Sequence, residues 1–175
     1  MTAFGDAVDS GKAKRIGAAN HAGWRVQQAR DIAALQGVEP WSMLQLRHSL
    51  VQPRPGTTVP EGGHKLLAPD DLDLARTEHL PLWCYTPLMM GGYARSDRAF
   101  SSGYDHPGTS RVMRVLADVV VELGATPGQI VLAWLLAQGI SPIVGASRIA
   151  HIDEAMGARS VRLSAEHMRR FAEAR

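Results

Sequence analysis

The sequence predicts an α/β fold built on a parallel sheet. Two observations carry this: short apolar runs alternate with segments of helical periodicity, and the alternation occurs four times along the 175 residues. Neighbouring parallel strands need a crossover between them, and a helix is its usual form. Four such units make an open four-stranded sheet or half of a (β/α) barrel, and the pattern leaves both open.

The first strand is expected over residues 16–19, the small-residue run Ile16-Gly17-Ala18-Ala19. A helix is expected from about 24 to 36, with Val26, Ala29, Ile32 and Ala33 on one face and Gly37 as its stop. Residues 41–46 are the second strand candidate. Residues 52–65 hold Pro53, Pro55, Pro60 and three glycines, and read as a loop. Pro69-Asp70-Asp71 opens a second helix that ends near Glu78, and Leu82-Trp83-Cys84-Tyr85 is a third strand halted by Thr86-Pro87. A second loop, polar and rich in Gly, Ser, Asp and Arg, is expected over residues 89–110. Loops of that length in compact domains are usually functional or disordered.

The strongest helix signal follows, with Val112, Val115, Leu116, Val119, Val120 and Leu123 forming one apolar stripe. Thr126-Pro127-Gly128-Gln129 has the form of a capping box with proline at the first helical position. The helix it opens, residues 130–137, is apolar nearly all round and is expected to be deeply buried. Gly139 ends it. A fourth strand over residues 140–144 leads through Gly145-Ala146-Ser147-Arg148 into a helix over about 150–156, and Ser164 caps a last helix.

Composition narrows the function classes. Hydrophobic residues make up 45 % and charged residues 21 %, the balance of a soluble globular domain. A net charge of +2 with no run of Lys or Arg argues against a nucleic-acid partner. Cys84 is the single cysteine, so no internal disulfide or cysteine-based metal site is expected, and a reducing cytoplasm suits it. Residues 1–9 contain Asp6 and Asp9 without an apolar run, which is not the form of a signal peptide. No stretch approaches the roughly 20 apolar residues that span a bilayer, so no membrane partner is expected. His48, His64, His79 and His106 show no metal-like pairing.

Five segments together are similar to the aldo/keto reductase family, in its order and spacing. Gly11-Lys12-Ala13-Lys14-Arg15-Ile16-Gly17-Ala18-Ala19-Asn20-His21 resembles the family's stretch through the fifth barrel strand. Gln45-Leu46-Arg47-His48-Ser49-Leu50 resembles the sixth strand, Tyr85-Thr86-Pro87-Leu88 the seventh and Ile143-Val144-Gly145-Ala146-Ser147-Arg148 the eighth. The segment from Ala125 to Leu136 resembles a specific family helix. The resemblance covers about the whole chain and implies a partial (β/α)8 TIM barrel: about four βα units and a C-terminal helix, the second half of a barrel domain, with Met1 inside the helix before strand five. It implies NADPH-dependent reduction of a small-molecule carbonyl. The catalytic Asp, Tyr, Lys and His it implies match no residue here, so no catalytic residue is assigned and the chain alone is expected to be inactive.

The same resemblance implies a set of cofactor contacts. Asn20 and Gln45 match residues that hydrogen-bond the nicotinamide carboxamide, a task that suits amides because each both donates and accepts. Ala19 stands where a serine is usual. Tyr85 matches the aromatic on which the nicotinamide stacks. Thr86, Pro87, Leu88 and Gly91, with Gly92, match a loop passing over the pyrophosphate, where small residues let backbone amides approach an anion. Ser147 and Arg148 match residues that hold the adenosine 2′-phosphate, which favours NADP(H) over NAD(H). Glu154 matches an adenine contact, while His151 and Ala155 depart from the usual Gln and Asn. Residue chemistry alone also allows plainer roles: Asn20 as a turn residue, Tyr85 as core, Arg148 as a solvated charge at a helix cap. Two further functions stay open: a non-catalytic half-barrel that binds dinucleotide or pairs with another protein, self-pairing through its open sheet edges included, and a truncated gene product.

Overall fold

The computed structural model describes residues 1–57 and 64–175. Helix α1 (Thr2–Asp9) is followed by β1 (Ala18–Ala19), α2 (Gly23–Gln36), β2 (Leu44–Arg47), α3 (Pro69–Thr77) and β3 (Leu82–Tyr85). Then come α4 (Pro107–Leu123), α5 (Pro127–Ala137), β4 (Ile140–Pro142), α6 (Ile149–Gly157) and α7 (Ala165–Ala174). The strands lie in the order β1-β2-β3-β4, so each pairs with its neighbour in sequence and every connection carries a helix. This is the α/β pattern of a partial barrel. The chain divides into two compact units, Met1–Arg47 with Gly63–Trp83, and His48–Gly62 with Cys84–Arg175.

In the first unit β1 runs parallel to β2, with Ala18 opposite Leu44 and Ala19 opposite Gln45. The Leu44 N–H donates to the Pro81 carbonyl (2.9 Å), which ties β2 to the start of β3. Strand β1 is shorter than the expected 16–19, although the Ser42 N–H still donates to the Ile16 carbonyl (2.9 Å) and Ile16 is buried. Helix α2 ends at Gly37, whose φ of 65° is the left-handed value that favours glycine. Val26 and Ala33 are its buried residues, and Ile32, expected beside them, is exposed. The reason is angular: seven residues bring a helix back to the same face, whereas the six from Val26 to Ile32 turn it well away. Helix α1 packs closely through Gly5, where a β-carbon would lie 2.8 Å from the Val38 Cβ.

In the second unit the Ile143 N–H donates to the Cys84 carbonyl (2.8 Å), which joins the end of β3 to β4. Strand β4 ends at Pro142, short of the expected Val144. In helix α5 every residue from Ile130 to Leu135 is buried, as expected, whereas Leu136 and Ala137 at its end are exposed although burial was expected through residue 137. Its capping box forms, with the Gln129 N–H donating to Thr126 Oγ1 (3.2 Å) and the Thr126 N–H to Gln129 Oε1 (3.1 Å). On α4 the stripe is narrower than expected. Val112, Leu116 and Val119 are buried, whereas Leu123 is exposed at the helix end. The loop expected over residues 89–110 is also shorter, since α4 starts at Pro107 and short 3-10 turns form at Met89–Gly91 and Ser102–Tyr104. His106 caps that start by accepting the Gly108 N–H on Nδ1 (3.2 Å), a role that the apolar stripe beginning at Val112 does not reveal. Ser164 caps α7 as expected, its hydroxyl accepting the His167 N–H (3.1 Å). Arg170 of α7 pairs with Glu122 of α4 (2.7 Å).

Candidate functional site

In the first unit Asn20 and Gln45 come together at the end of β1. The Asn20 N–H donates to the Gln45 carbonyl (3.1 Å). Asn20 has φ 59°, the left-handed region that Asn tolerates better than most residues. Its side-chain oxygen accepts the Lys65 N–H (3.1 Å). The Lys65 ammonium in turn pairs with Asp71, whose carboxylate is only 2 % exposed with its residue. Asp71 also accepts the N–H of Gly23 at the start of α2 and that of Ala68 before α3, each at 2.9 Å. One buried carboxylate thus caps two helices and steadies the segment that holds Asn20.

In the second unit a cavity of about 660 Å³ opens at the end of β3. Tyr85, Thr86, Pro87, Leu88 and Gly91 line it, and Glu154 of α6 lines it with them. Thr86, Met89 and Met90 all have left-handed φ values, 56°, 49° and 54°, and Gly91 has 93°. For a β-branched threonine this is strained backbone, and such strain concentrates at functional sites. Ser147 and Arg148 are exposed and stand just before α6, with Arg148 at its N-cap position, outside the cavity wall.

Hydrogen bonds within the protein already engage part of this loop and Glu154 of α6. The Met89, Gly91 and Gly92 amides already donate to the carbonyls of Thr86, Leu88 and Met89, at 3.2, 2.9 and 3.1 Å. These tight turns engage three of the loop's amides. The Glu154 carboxylate accepts the Thr126 hydroxyl (2.9 Å), and its backbone carbonyl accepts the Gln129 amide (3.3 Å). It braces α6 against the start of α5 while it lines the cavity. Gly128 makes room for it, since a β-carbon there would lie 3.1 Å from Glu154 Oε1.

His151 and Ala155, the departures from the family pattern, also line the cavity, as do Leu132, Val144 and Arg95. Leu132 follows Gly128 by four residues, so helical spacing alone places the two on one face. Arg95 sits in the polar loop paired with Asp97 (2.5 Å), and no motif marks it.

Burial sets the protonation of the buried groups in this unit. His48 stacks on Trp134 with ring centroids 5.4 Å apart. Burial, reinforced by Arg175, lowers its imidazole to about 3, so it is neutral near pH 7. Burial pushes the Cys84 thiol up to about 12, which makes it an inert packing group. It also pushes the Tyr93 phenol well above its ordinary range, so that hydroxyl keeps its proton. No group of three or more His, Cys, Asp or Glu among the described residues has metal-holding geometry. No single helix among them is long and apolar enough to cross a membrane.

The aldo/keto reductase family model matches residues 1–175. The chain belongs to the aldo/keto reductase family. Among curated relatives it is 28 % identical to the versiconal hemiacetal acetate reductase of Aspergillus parasiticus, over 96 % of this chain and 50 % of that protein. It is likewise 28 % identical to the aldo-keto reductase yakc [NADP(+)] of Schizosaccharomyces pombe, over 99 % of this chain and 52 % of that one. A shorter match, 49 % identical over 53 residues, is to pyridoxine 4-dehydrogenase of Escherichia coli. The chain therefore spans about half the length of the first two relatives. In fold it is similar to a thermostable aldo-keto reductase crystallised with the inhibitor epalrestat, with a TM-score of 0.70 and 23 % identity over 99 % of this chain and 53 % of that one. This aldo/keto reductase chain is thus of an oxidoreductase family with a barrel-type fold.

A nicotinamide dinucleotide fits the residues present. The second-unit cavity has the size of a small-ligand site and joins a flat aromatic, Tyr85, and aliphatic walls at Leu88, Leu132 and Val144 to one cation, Arg95. The Met89, Gly91 and Gly92 amides are already engaged in turns, which removes those three donors from the phosphates.

Proposed function

We propose that this chain binds NADP(H) and serves the reduction of a small-molecule carbonyl, with the acid–base residues supplied from outside these 175 residues. One observation carries the reading: six of the ten residues singled out by resemblance, Tyr85, Thr86, Pro87, Leu88, Gly91 and Glu154, line a single cavity. The NADP(+) in the name of the fission-yeast relative supports the choice of dinucleotide. The bound dinucleotide supplies the hydride that reduces the carbonyl. Tyr85 offers its ring face to the nicotinamide and keeps water from it. Arg148, exposed at the N-cap of α6, and Ser147 beside it take the 2′-phosphate, aided by the positive end of the helix. The inert buried Cys84 suits a reducing cytoplasm.

Titration of the purified chain with NADPH, followed by cofactor fluorescence, tests this. Saturable binding that weakens at least tenfold in Tyr85→Ala is expected, and a folded chain that shows no saturation would refute it. Reduction of an aldehyde panel by the chain alone would overturn the placing of the acid–base groups elsewhere.

A second reading draws on the strand order among the described residues, which places β1 and β4 at the ends of the sheet, where edge strands can pair with another chain. Self-association through these edges is such a pairing. Sedimentation well above micromolar concentration should then show dimers or larger species, and a clean monomer would count against it.

A further inference from the structure

Val51, Tyr93, Ser49 and Pro87 form one hydrogen-bonded chain in the second unit. The Val51 N–H donates to the Tyr93 phenol oxygen (2.9 Å), the phenol and the Ser49 hydroxyl lie 2.6 Å apart, and the Ser49 hydroxyl lies 2.5 Å from the Pro87 carbonyl. A carbonyl can only accept, so the Ser49 proton points at Pro87. The Tyr93 proton is then directed at Ser49, and the order runs from Val51 through Tyr93 and Ser49 to Pro87. Each member polarises the next, which strengthens the series beyond its separate bonds. Tyr93 is 7 % and Ser49 3 % exposed, so bulk water does not replace either partner.

The last acceptor is the informative one. Pro87 follows Thr86, a β-branched residue at φ 56°, and the residue before a proline is already restricted. Thr86 and Pro87 both line the candidate cofactor cavity, and the Met89 N–H closes the turn on the Thr86 carbonyl (3.2 Å). A strained turn persists only where its surroundings over-determine it. The hydrogen-bonded series is such a restraint, and Tyr93 adds its ring to the same cavity wall.

We propose that Ser49 and Tyr93 are positioning residues that hold the Thr86-Pro87-Leu88 turn in the shape that walls the cofactor cavity. The proposal rests on the reading of that cavity as a dinucleotide site. Both residues act through the Pro87 carbonyl, apart from the reacting atoms.

The test uses the chain itself, Tyr93→Phe, Ser49→Ala and the double variant, with two readouts. Tyr93→Phe keeps the ring and removes only the hydroxyl. In the unliganded protein, amide hydrogen exchange at Val51 and Met89 should speed up about tenfold in either single variant, while the α5 amides keep their rates. NADPH affinity should fall about tenfold in each, and the double variant should lose no more than Ser49→Ala, because either change breaks the same series. Unchanged Met89 exchange in Tyr93→Phe overturns the proposal. So do unchanged NADPH affinity in a wild type that binds, simple additivity of the two variants, or acceleration at α5 equal to that at Met89. Wild-type protein that shows no saturable binding overturns the cofactor reading and the role towards NADPH with it, and the exchange rates then judge the clamp alone.

Discussion

Asp71→Ala is the substitution expected to cost the first unit most. The carboxylate is 2 % exposed, accepts two backbone N–H groups at 2.9 Å and pairs with Lys65. Removing it leaves the Gly23 and Ala68 amides without an acceptor at two helix starts, at roughly 1 to 3 kcal/mol each. The Lys65 side chain is 25 % exposed and can turn towards water, so the stranded-charge penalty of a fully buried pair applies only in part. About 3 kcal/mol of lost stability results, a large share of the roughly 5 to 15 kcal/mol of a typical domain. With a urea dependence of about 2 kcal/mol per molar, the unfolding midpoint drops by about 1.5 M. Asp71→Asn, which keeps one acceptor and turns an NH₂ towards donors, should fall between. A shift in Asp71→Ala equivalent to less than about 1 kcal/mol would mean that the two helix caps contribute little, and the reasoning would fail. The same variant frees Lys65, so exchange at the Lys65 amide, donated to Asn20 in the native chain, should rise with it.

Two other outcomes are expected. Arg148→Leu should weaken NADPH about tenfold or more and leave NADH within about twofold, because only the former carries the 2′-phosphate; equal losses measured by fluorescence titration would remove Arg148 from that role. His48 is lowered from 6.5 to about 3, so between those pH values the unfolded chain binds a proton that the folded one does not. Stability contributed by His48 is therefore present above pH 6.5 and is lost as the pH falls, by about 1.4 kcal/mol per unit. His48→Phe, which keeps a ring on Trp134, should flatten that slope between pH 6.5 and 4, and identical slopes in denaturation series would refute the assignment.

What was legible in the sequence follows from how local each signal is. The buried helix α5, its capping box at Thr126 and Gln129, the stop at Gly37 and the cap at Ser164 all depend on residues within a few positions of one another. The short strands are set by partners elsewhere, which is why β1 and β4 came out shorter than their apolar runs. The strand-end residues around Tyr85 carry no chemistry that separates them from a turn, and only resemblance picked them out. Asp71 and Tyr93 were out of reach for a further reason: each acts on a residue more than 40 positions away, 48 from Asp71 to Gly23 and 44 from Tyr93 to Ser49.

Those two distant pairings have a common logic. In each unit a non-glycine residue just past a strand, Asn20 after β1 and Thr86 after β3, is held at positive φ. Barrel-type folds place their ligands at the C-terminal ends of strands, so these are the positions where unusual backbone serves a site. Neither conformation is favourable alone, and each is met by its own set of polar contacts, buried in the second unit and more exposed in the first. In the first unit Lys65 links the two, its ammonium to Asp71 and its backbone N–H to the Asn20 side chain; in the second a hydrogen-bonded series passes from Val51 through Tyr93 and Ser49 to the Pro87 carbonyl. A chain that needed only to fold has cheaper solutions at both places, such as glycine at the turn and an apolar residue beneath it. Each strand-end residue at positive φ thus has a hydrogen-bonded brace within its own unit, at the Asn20 side chain in one and the Pro87 carbonyl in the other.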